Sequence, residues 1–264
     1  VVQYDLYNGY DAVDLGLPSG IKWAAYNVGA TKPEEYGGYY AWGETEEKEN
    51  YDWSTYRWCN GSYNTMTKYC THSSYGTVDN KTVLDLEDDV AHVEWGGSWR
   101  MPTKAEQDEL RNNCTWSWTT QNDVNGYKVT SKTNGNSIFL PAAGYRYGSN
   151  LNSGSNGRYW SSSLNALNSY CAFYLGFVSG YYNWYDNVRY FGFSVRPVCG
   201  APIEKYTVAV GCDGYGTVSI NGNTDMSVTL VAGSTVTVLA TPVDGYVFDG
   251  WFVEGSEEPV STDA

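Results

Sequence analysis

The chain has 264 residues, 42% of them hydrophobic and 16% aromatic, with a formal charge of −14 at pH 7. That length allows one large or two modest domains, and 11 Trp with 25 Tyr furnish ample core material. The acidity, with no visible Lys/Arg cluster, argues against nucleic acid and weakens adsorption on anionic membranes, and no run of about 18 apolar residues is present to span a bilayer.

Val1-Val2-Gln3-Tyr4 opens without a signal pattern, which fits a trimmed, mature or cytosolic chain alike. Thr31-Lys32-Pro33-Glu34 has the pattern of a short helix start. Gly37-Gly38 and Gly96-Gly97 read as turns needing positive φ, because no Gly-Lys-Ser/Thr follows either to make a phosphate loop. Cys59 and Cys70 share one Tyr/Asn/Ser-rich loop and are the pair expected to bridge if the compartment is oxidising. None of the six cysteines (Cys59, Cys70, Cys114, Cys171, Cys199, Cys212) sits in a Cys-x-x-Cys pair, so zinc and thioredoxin chemistry are disfavoured.

The acidic run Asp85, Glu87, Asp88, Asp89 is oxygen-rich, as calcium sites are, but its order does not fit an EF-hand loop. Acids favouring the start of a short helix through Ala91 are the simpler reading. Thr103-Lys104-Ala105-Glu106 is a capping box, and the helix it starts should end near Asn112-Asn113. Trp116 and Trp118, two apart, should line one core face. His72 lies in a Ser/Tyr loop and His92 in a helical turn, and neither has a nucleophile in a recognisable motif. No catalytic residue, metal or cofactor is expected.

From Asn150 to Tyr190 the chain is written in Asn, Tyr, Ser and Gly, without Lys or Glu and with Asp186 as the one acid. Tyr offers stiff amphipathic contact area while Ser, Gly and Asn offer adaptable hydrogen bonds, the mixture favoured in recognition loops. In Tyr174-Leu175-Gly176-Phe177-Val178, period-2 alternation puts Leu175 and Phe177 on an anchor face and 174, 176 and 178 on a free one. Expected aromatic contacts are Tyr170, Tyr174, Tyr181, Tyr185 and Tyr190, with Asn165, Asn183 and Asp186 as hydrogen-bonding partners. Beyond Gly200-Ala201-Pro202 the texture changes to short β-branched strands at 206–210, 216–220, 227–230 and 235–239, punctuated by Asn221-Gly222-Asn223 and Ala232-Gly233.

Several stretches carry a family resemblance. They include Val13-Asp14-Leu15-Gly16-Leu17, Tyr39-Tyr40-Ala41-Trp42-Gly43-Glu44, Trp95-Gly96-Gly97-Ser98-Trp99-Arg100-Met101-Pro102-Thr103, Tyr159-Trp160-Ser161-Ser162-Ser163 and Gly192-Phe193-Ser194-Val195-Arg196-Pro197-Val198. Residues 10–199 resemble the paralogous surface-protein domain abundant in Bacteroidetes and Fibrobacter. The resemblance implies a C-type-lectin-like fold, related to formylglycine-generating enzymes and to the variable proteins of diversity-generating retroelements. It further implies that Arg158, Leu167, Tyr170, Cys171, Tyr174, Gly176, Val178, Tyr181, Tyr185, Asp186, Val188, Tyr190 and Phe191 occupy variable positions between fixed anchors, Cys171 as a free thiol. Each of those residue types is reachable from an Asn codon by changing adenines alone. The late cysteine pair of the formylglycine-generating enzymes has no counterpart, since Cys171 and Cys199 are too widely spaced. Nor does the calcium-dependent sugar motif of lectins occur. The tail, through Gly245-Tyr246-Val247-Phe248-Asp249-Gly250-Trp251, is similar to a divergent internalin-type B repeat and stops short of its usual final strands.

The expectation is therefore α+β: a C-type-lectin-like ligand-binding domain over 1–200, then a small all-β repeat module over 201–264. The expected role is non-catalytic recognition or adhesion, secreted or at a cell surface, towards an unknown protein or glycan ligand on a cell or phage. The contact residues would be Arg158, Asn165, Leu167, Tyr170, Tyr174, Tyr181, Asn183, Tyr185, Asp186, Tyr190 and Phe191. A non-diversified stalk component and, less favoured, a formylglycine-generating-type oxidase are the alternatives.

Overall fold

The computed structural model describes residues 5–200, 205–224, 226–231, 235–254, 256 and 258–263. The chain divides into two compact units, 1–202 and 203–264. The boundary at Ala201-Pro202 and the turn at Ala232-Gly233 lie outside the described residues.

The first unit opens with β1 (Asp5–Tyr7), β2 (Tyr10–Val13) and β3 (Lys22–Ala24). Asn8 and Gly9, at φ 47° and 84°, supply the left-handed turn that joins β1 to β2. A long irregular stretch spans 25–85, held by turns and isolated bridges such as Tyr40 with Phe193 and Tyr51 with Gly148. Next come two helices, α1 (Val90–Trp95) and α2 (Lys104–Asn113). Asp89 caps α1 by accepting from Ala91 and His92, and α2 starts on the expected capping box of Thr103 and Glu106.

The strands β4 (Cys114–Gln121), β5 (Val124–Ser131) and β6 (Ser137–Pro141) form an antiparallel meander. The hairpin β7 (Tyr145–Tyr147) and β8 (Asn150–Asn152) comes next. A second meander contains β9 (Asn156–Leu164), β10 (Cys171–Val178) and β11 (Tyr181–Val188), with β10 in the middle. Finally β12 (Val198–Cys199) pairs with β3, setting Val198 opposite Trp23 and joining the two ends of the unit.

Both faces of β10 meet apolar clusters. Leu175 and Phe177 pack with Tyr159, Leu110, Tyr127 and Val129, while Ala172 and Tyr174 pack with Trp42, Trp160 and Phe193. Two fully buried arginines tie the irregular stretch to this sheet. Arg189 donates to the Tyr56 hydroxyl and to the carbonyls of Lys68, Tyr69 and Ser169. Arg196 donates to Asn27 Oδ1 and to the carbonyls of Ala24, Ala25 and Phe139. Satisfying buried N–H donors with oxygen acceptors offsets the large cost of taking a guanidinium from water.

The expected α+β class is overturned. Among the described residues, helix is confined to a six-residue and a ten-residue segment plus a 3-10 turn at Leu86–Asp88, while strands in several small sheets predominate. That helical content does not support the lectin-like architecture implied by the resemblance. One reason lies at Thr31, where capping chemistry operates without a helix. Glu35 accepts from the N–H groups of Thr31 and Lys32 at 2.7 and 3.2 Å, closing a local turn that Pro33 does not extend. Gly96, Gly97 and Gly37 do adopt positive φ, but Gly38 does not. A Cβ on Gly38 would lie 2.3 Å from the Tyr40 hydroxyl, so close packing excludes a side chain there.

The second unit is built of antiparallel pairs. β13 (Lys205–Ala209) pairs with β15 (Ser227–Val231), β14 (Gly216–Ile220) with β16 (Val238–Pro242), and β17 (Trp251–Phe252) with β18 (Pro259–Ser261). The fourth expected strand, 235–239, starts three residues late, at Val238, because pairing is set by β14. Asn221 ends that strand at φ 51° and exchanges hydrogen bonds with Thr237, using its N–H and its side-chain oxygen. No helix among the described residues is long and apolar enough to cross a membrane.

Candidate functional site

Backbone register sorts the Tyr-rich stretch into two faces. Tyr174 lies opposite Trp160 on β9 and Tyr185 on β11, Gly176 opposite Arg158 and Asn183, and Val178 opposite Asn156 and Tyr181. These residues share one face. Its Ala172–Tyr174 end is sealed by the apolar cluster, and its Val178 end opens into a pocket of about 200 Å³. Arg158, Tyr174, Tyr181 and Tyr185 all line that pocket. Glycine keeps it open: a Cβ on Gly176 would stand 2.9 Å from the Tyr174 ring and 3.0 Å from the Tyr185 ring.

The free face is thus only half free. Tyr174, expected on the solvent side, is 8% exposed, whereas Tyr181 and Tyr185 are 53% and 39% exposed. Asn183 stands beside Tyr181, donating to its hydroxyl at 3.2 Å while its own oxygen accepts from Arg111 at 2.7 Å. Hydrogen bonds from Asn183 and Tyr185 draw the Tyr181 hydroxyl below its usual pKa. Burial pushes Tyr174 and Tyr185 the other way.

Four more of the expected contacts are held at or against the β9–β10 connection. Asn165 donates to Asp186 at 3.2 Å, and its side-chain oxygen accepts from the N–H groups of Leu167 and Asn168. That turn presents Leu167, 85% exposed. Tyr170 is half-buried between the rings of Tyr63 and Tyr75, at 5.6 and 5.1 Å. Tyr190 and Phe191 form a third group, stacked on each other at 5.1 Å, with Tyr147 stacked on Phe191 at 5.0 Å and tilted against Tyr190 at 6.1 Å, and Trp53 edge-on to Tyr190 at 4.8 Å. Burial, then the neighbouring Tyr147, raises the Tyr190 hydroxyl to about 12.

Sequence reasoning missed Trp53, Tyr63, Tyr75, Tyr145 and Tyr147, which lie outside the 158–191 stretch. Tyr145 carries the Arg158 guanidinium 3.8 Å above its ring. The available signal was Tyr145-Arg146-Tyr147, an aromatic alternation just before a turn.

The acidic run is not vacant. Lys68 Nζ lies 2.7, 3.2 and 2.6 Å from Asp85, Glu87 and Asp88, so a lysine ammonium occupies the place a cation would take. Asp89 turns away to cap α1 and to accept from Met101 N–H. Burial, against those donors, lifts its carboxyl to about 6. All six cysteines are free, so the Cys59–Cys70 bridge does not form. Cys171 is a buried thiol raised to about 12, by burial first and then by Asp186.

No curated protein and no solved structure matches the chain. Residues 102–198, from just before α2 through the whole β9–β11 sheet, match a domain of unknown function (DUF8237). Residues 206–264 match a divergent InlB B-repeat domain, a module consistent with a surface or adhesion-type protein.

Proposed function

We propose that this chain is a non-catalytic recognition protein displayed at a cell surface, contacting its ligand with the open end of the β9–β11 face. The observation that supports this most is convergence. Arg158, Tyr174, Tyr181 and Tyr185, separated by up to 27 residues, line one pocket with half-exposed rings at its mouth. Aromatic and Arg anchors around a partly desolvated pocket are what interfaces use for most of their binding energy. The B-repeat match supports surface display.

Retroelement diversification is part of the same proposal, restricted to positions where substitution disturbs little packing: Leu167, Tyr181, Tyr185 and Asp186 are exposed, whereas Gly176 is hemmed by two rings. Variation among close relatives is expected to gather at those four and to spare Gly176; uniform drift would favour a structural stalk.

The experiment is binding of the full chain to arrays of extracellular proteins and glycans, repeated with Tyr181→Ala/Tyr185→Ala. Each truncation should cost about 2 kcal/mol of binding. Undiminished binding by a folded double variant would remove this face from the ligand.

A further inference from the structure

The Arg158 guanidinium lies over aromatic rings, its Cζ 3.8 Å from the centre of Tyr145, with Phe193 and Tyr174 at 5.5 and 5.8 Å. Among the described residues it has neither a hydrogen bond nor an ion pair, although it lines the pocket beside Tyr181 and Tyr185. Stacking satisfies the face of a guanidinium and leaves its in-plane N–H donors unmet. The buried Arg189 and Arg196 show the contrast, each meeting oxygen acceptors in its plane. A preoriented fork with free donors fits a carboxylate, which it can engage through two parallel hydrogen bonds.

We propose that this pocket takes a single carboxylate side chain, Glu or Asp, of a polypeptide partner, paired with Arg158 and flanked by the rings of Tyr181 and Tyr185. This rests on the recognition reading above. Two observations narrow the occupant. The chain carries −14, so an acid-rich segment is repelled as a whole, and one acid in an otherwise neutral segment is not. Apart from Arg158, Asn156 and the tyrosine hydroxyls, the wall is rings, glycine and Val178, which suits an aliphatic stem better than the many hydroxyls of an acidic sugar.

The test uses the full chain and small probes. The Arg158 Nε–H resonance, assigned by comparison with Arg158→Lys, is followed while N-acetylglutamate α-amide or N-acetylglutamine α-amide is titrated. The glutamate probe should give a saturable shift, and the neutral probe should bind about ten-fold more weakly. Arg158→Gln, with its melting curve recorded, should abolish the difference between probes. Equal binding of the two probes by the unmodified chain, or no saturable shift, overturns the carboxylate site without need of any variant. N-acetylneuraminic acid binding more tightly than the glutamate probe overturns the polypeptide assignment. Array binding that depends on Tyr181 and Tyr185 while the glutamate probe fails would leave the recognition face standing and the carboxylate inference refuted. A bound probe with array binding indifferent to those tyrosines would do the reverse.

Discussion

Tyr174 and Tyr185 face each other across the β10–β11 pair with ring centroids 5.7 Å apart, yet one belongs to the core and the other to the surface. Tyr174 also meets the rings of Trp160 at 6.0 Å and Phe193 at 4.9 Å. Tyr185 closes over Gly176 from the solvent side. Tyr174→Ala should therefore cost about 3–5 kcal/mol of folding stability, and Tyr185→Ala or Tyr181→Ala less than about 1 kcal/mol. Urea denaturation of the three variants checks the order; equal losses would mean that the two ends of this face do not differ.

Glycine at two neighbouring register positions should behave unequally. A Cβ at 157 would stand 2.1 Å from Phe177 Cζ, inside the cluster that also holds Leu175 and Tyr159. At 176 the obstructing atoms belong to Tyr174 and the exposed Tyr185, which can swing outward. Gly157→Ala is expected to cost about 3 kcal/mol and Gly176→Ala about 1 kcal/mol, the latter also weakening ligand binding by narrowing the pocket. Thermal melts with binding on the same samples separate the two effects.

What the residues disclosed in advance was local. The capping box at Thr103 and Glu106, the common face of Leu175 and Phe177, and the left-handed turn at Asn221-Gly222 depend on neighbours within a few positions, and sequence carries those directly. Burial of Tyr174 depends on Phe193 and Trp42, brought in from 19 and 132 residues away, so alternation assigned its face correctly but not the cover over that face. The Lys68 plug in the acidic run has the same character: its charge partners are about 20 residues distant, across an irregular loop. The fold class misled because capping residues marked a ten-residue helix and a bare turn with similar chemistry, and a cap does not encode how many helical turns come after it.

The thiols should report this packing. Cys212 is exposed, and the other five are buried. Burial raises Cys114 to about 11 and Cys171 and Cys199 to about 12, which leaves almost no thiolate at pH 8. A disulfide-exchange reagent added to the native chain should modify one thiol rapidly, with the remaining five appearing only in denaturant. A second fast-reacting thiol, or fewer than six in total after unfolding without reductant, would contradict the buried, unbridged arrangement.

Acid sensitivity should trace to the start of α2. Arg100 grips Glu106 with Nη1 to Oε2 at 2.7 Å and Nη2 to Oε1 at 2.5 Å, and Thr103 N–H donates to the same carboxylate at 2.8 Å. Burial would raise the Glu106 carboxyl, but Arg100 and the Thr103 donors outweigh it, and the net direction is down. A group whose pKa is lower folded than unfolded contributes stability above its unfolded value and loses it as pH falls through the folded one. Removing one partner of this largely buried pair in Glu106→Gln should cost about 2 kcal/mol at pH 7. As pH drops below the ordinary glutamate range of about 4.3, the unmodified chain should lose that advantage and the two melting curves should converge. Asp89 works in the opposite sense, since its raised carboxyl makes folding more favourable as pH falls through about 6. The comparison must therefore be read as the difference between the two proteins at each pH, where the Asp89 contribution cancels. A gap that stays constant from pH 7 to pH 3 would show that Glu106 acts through packing and not through its charge.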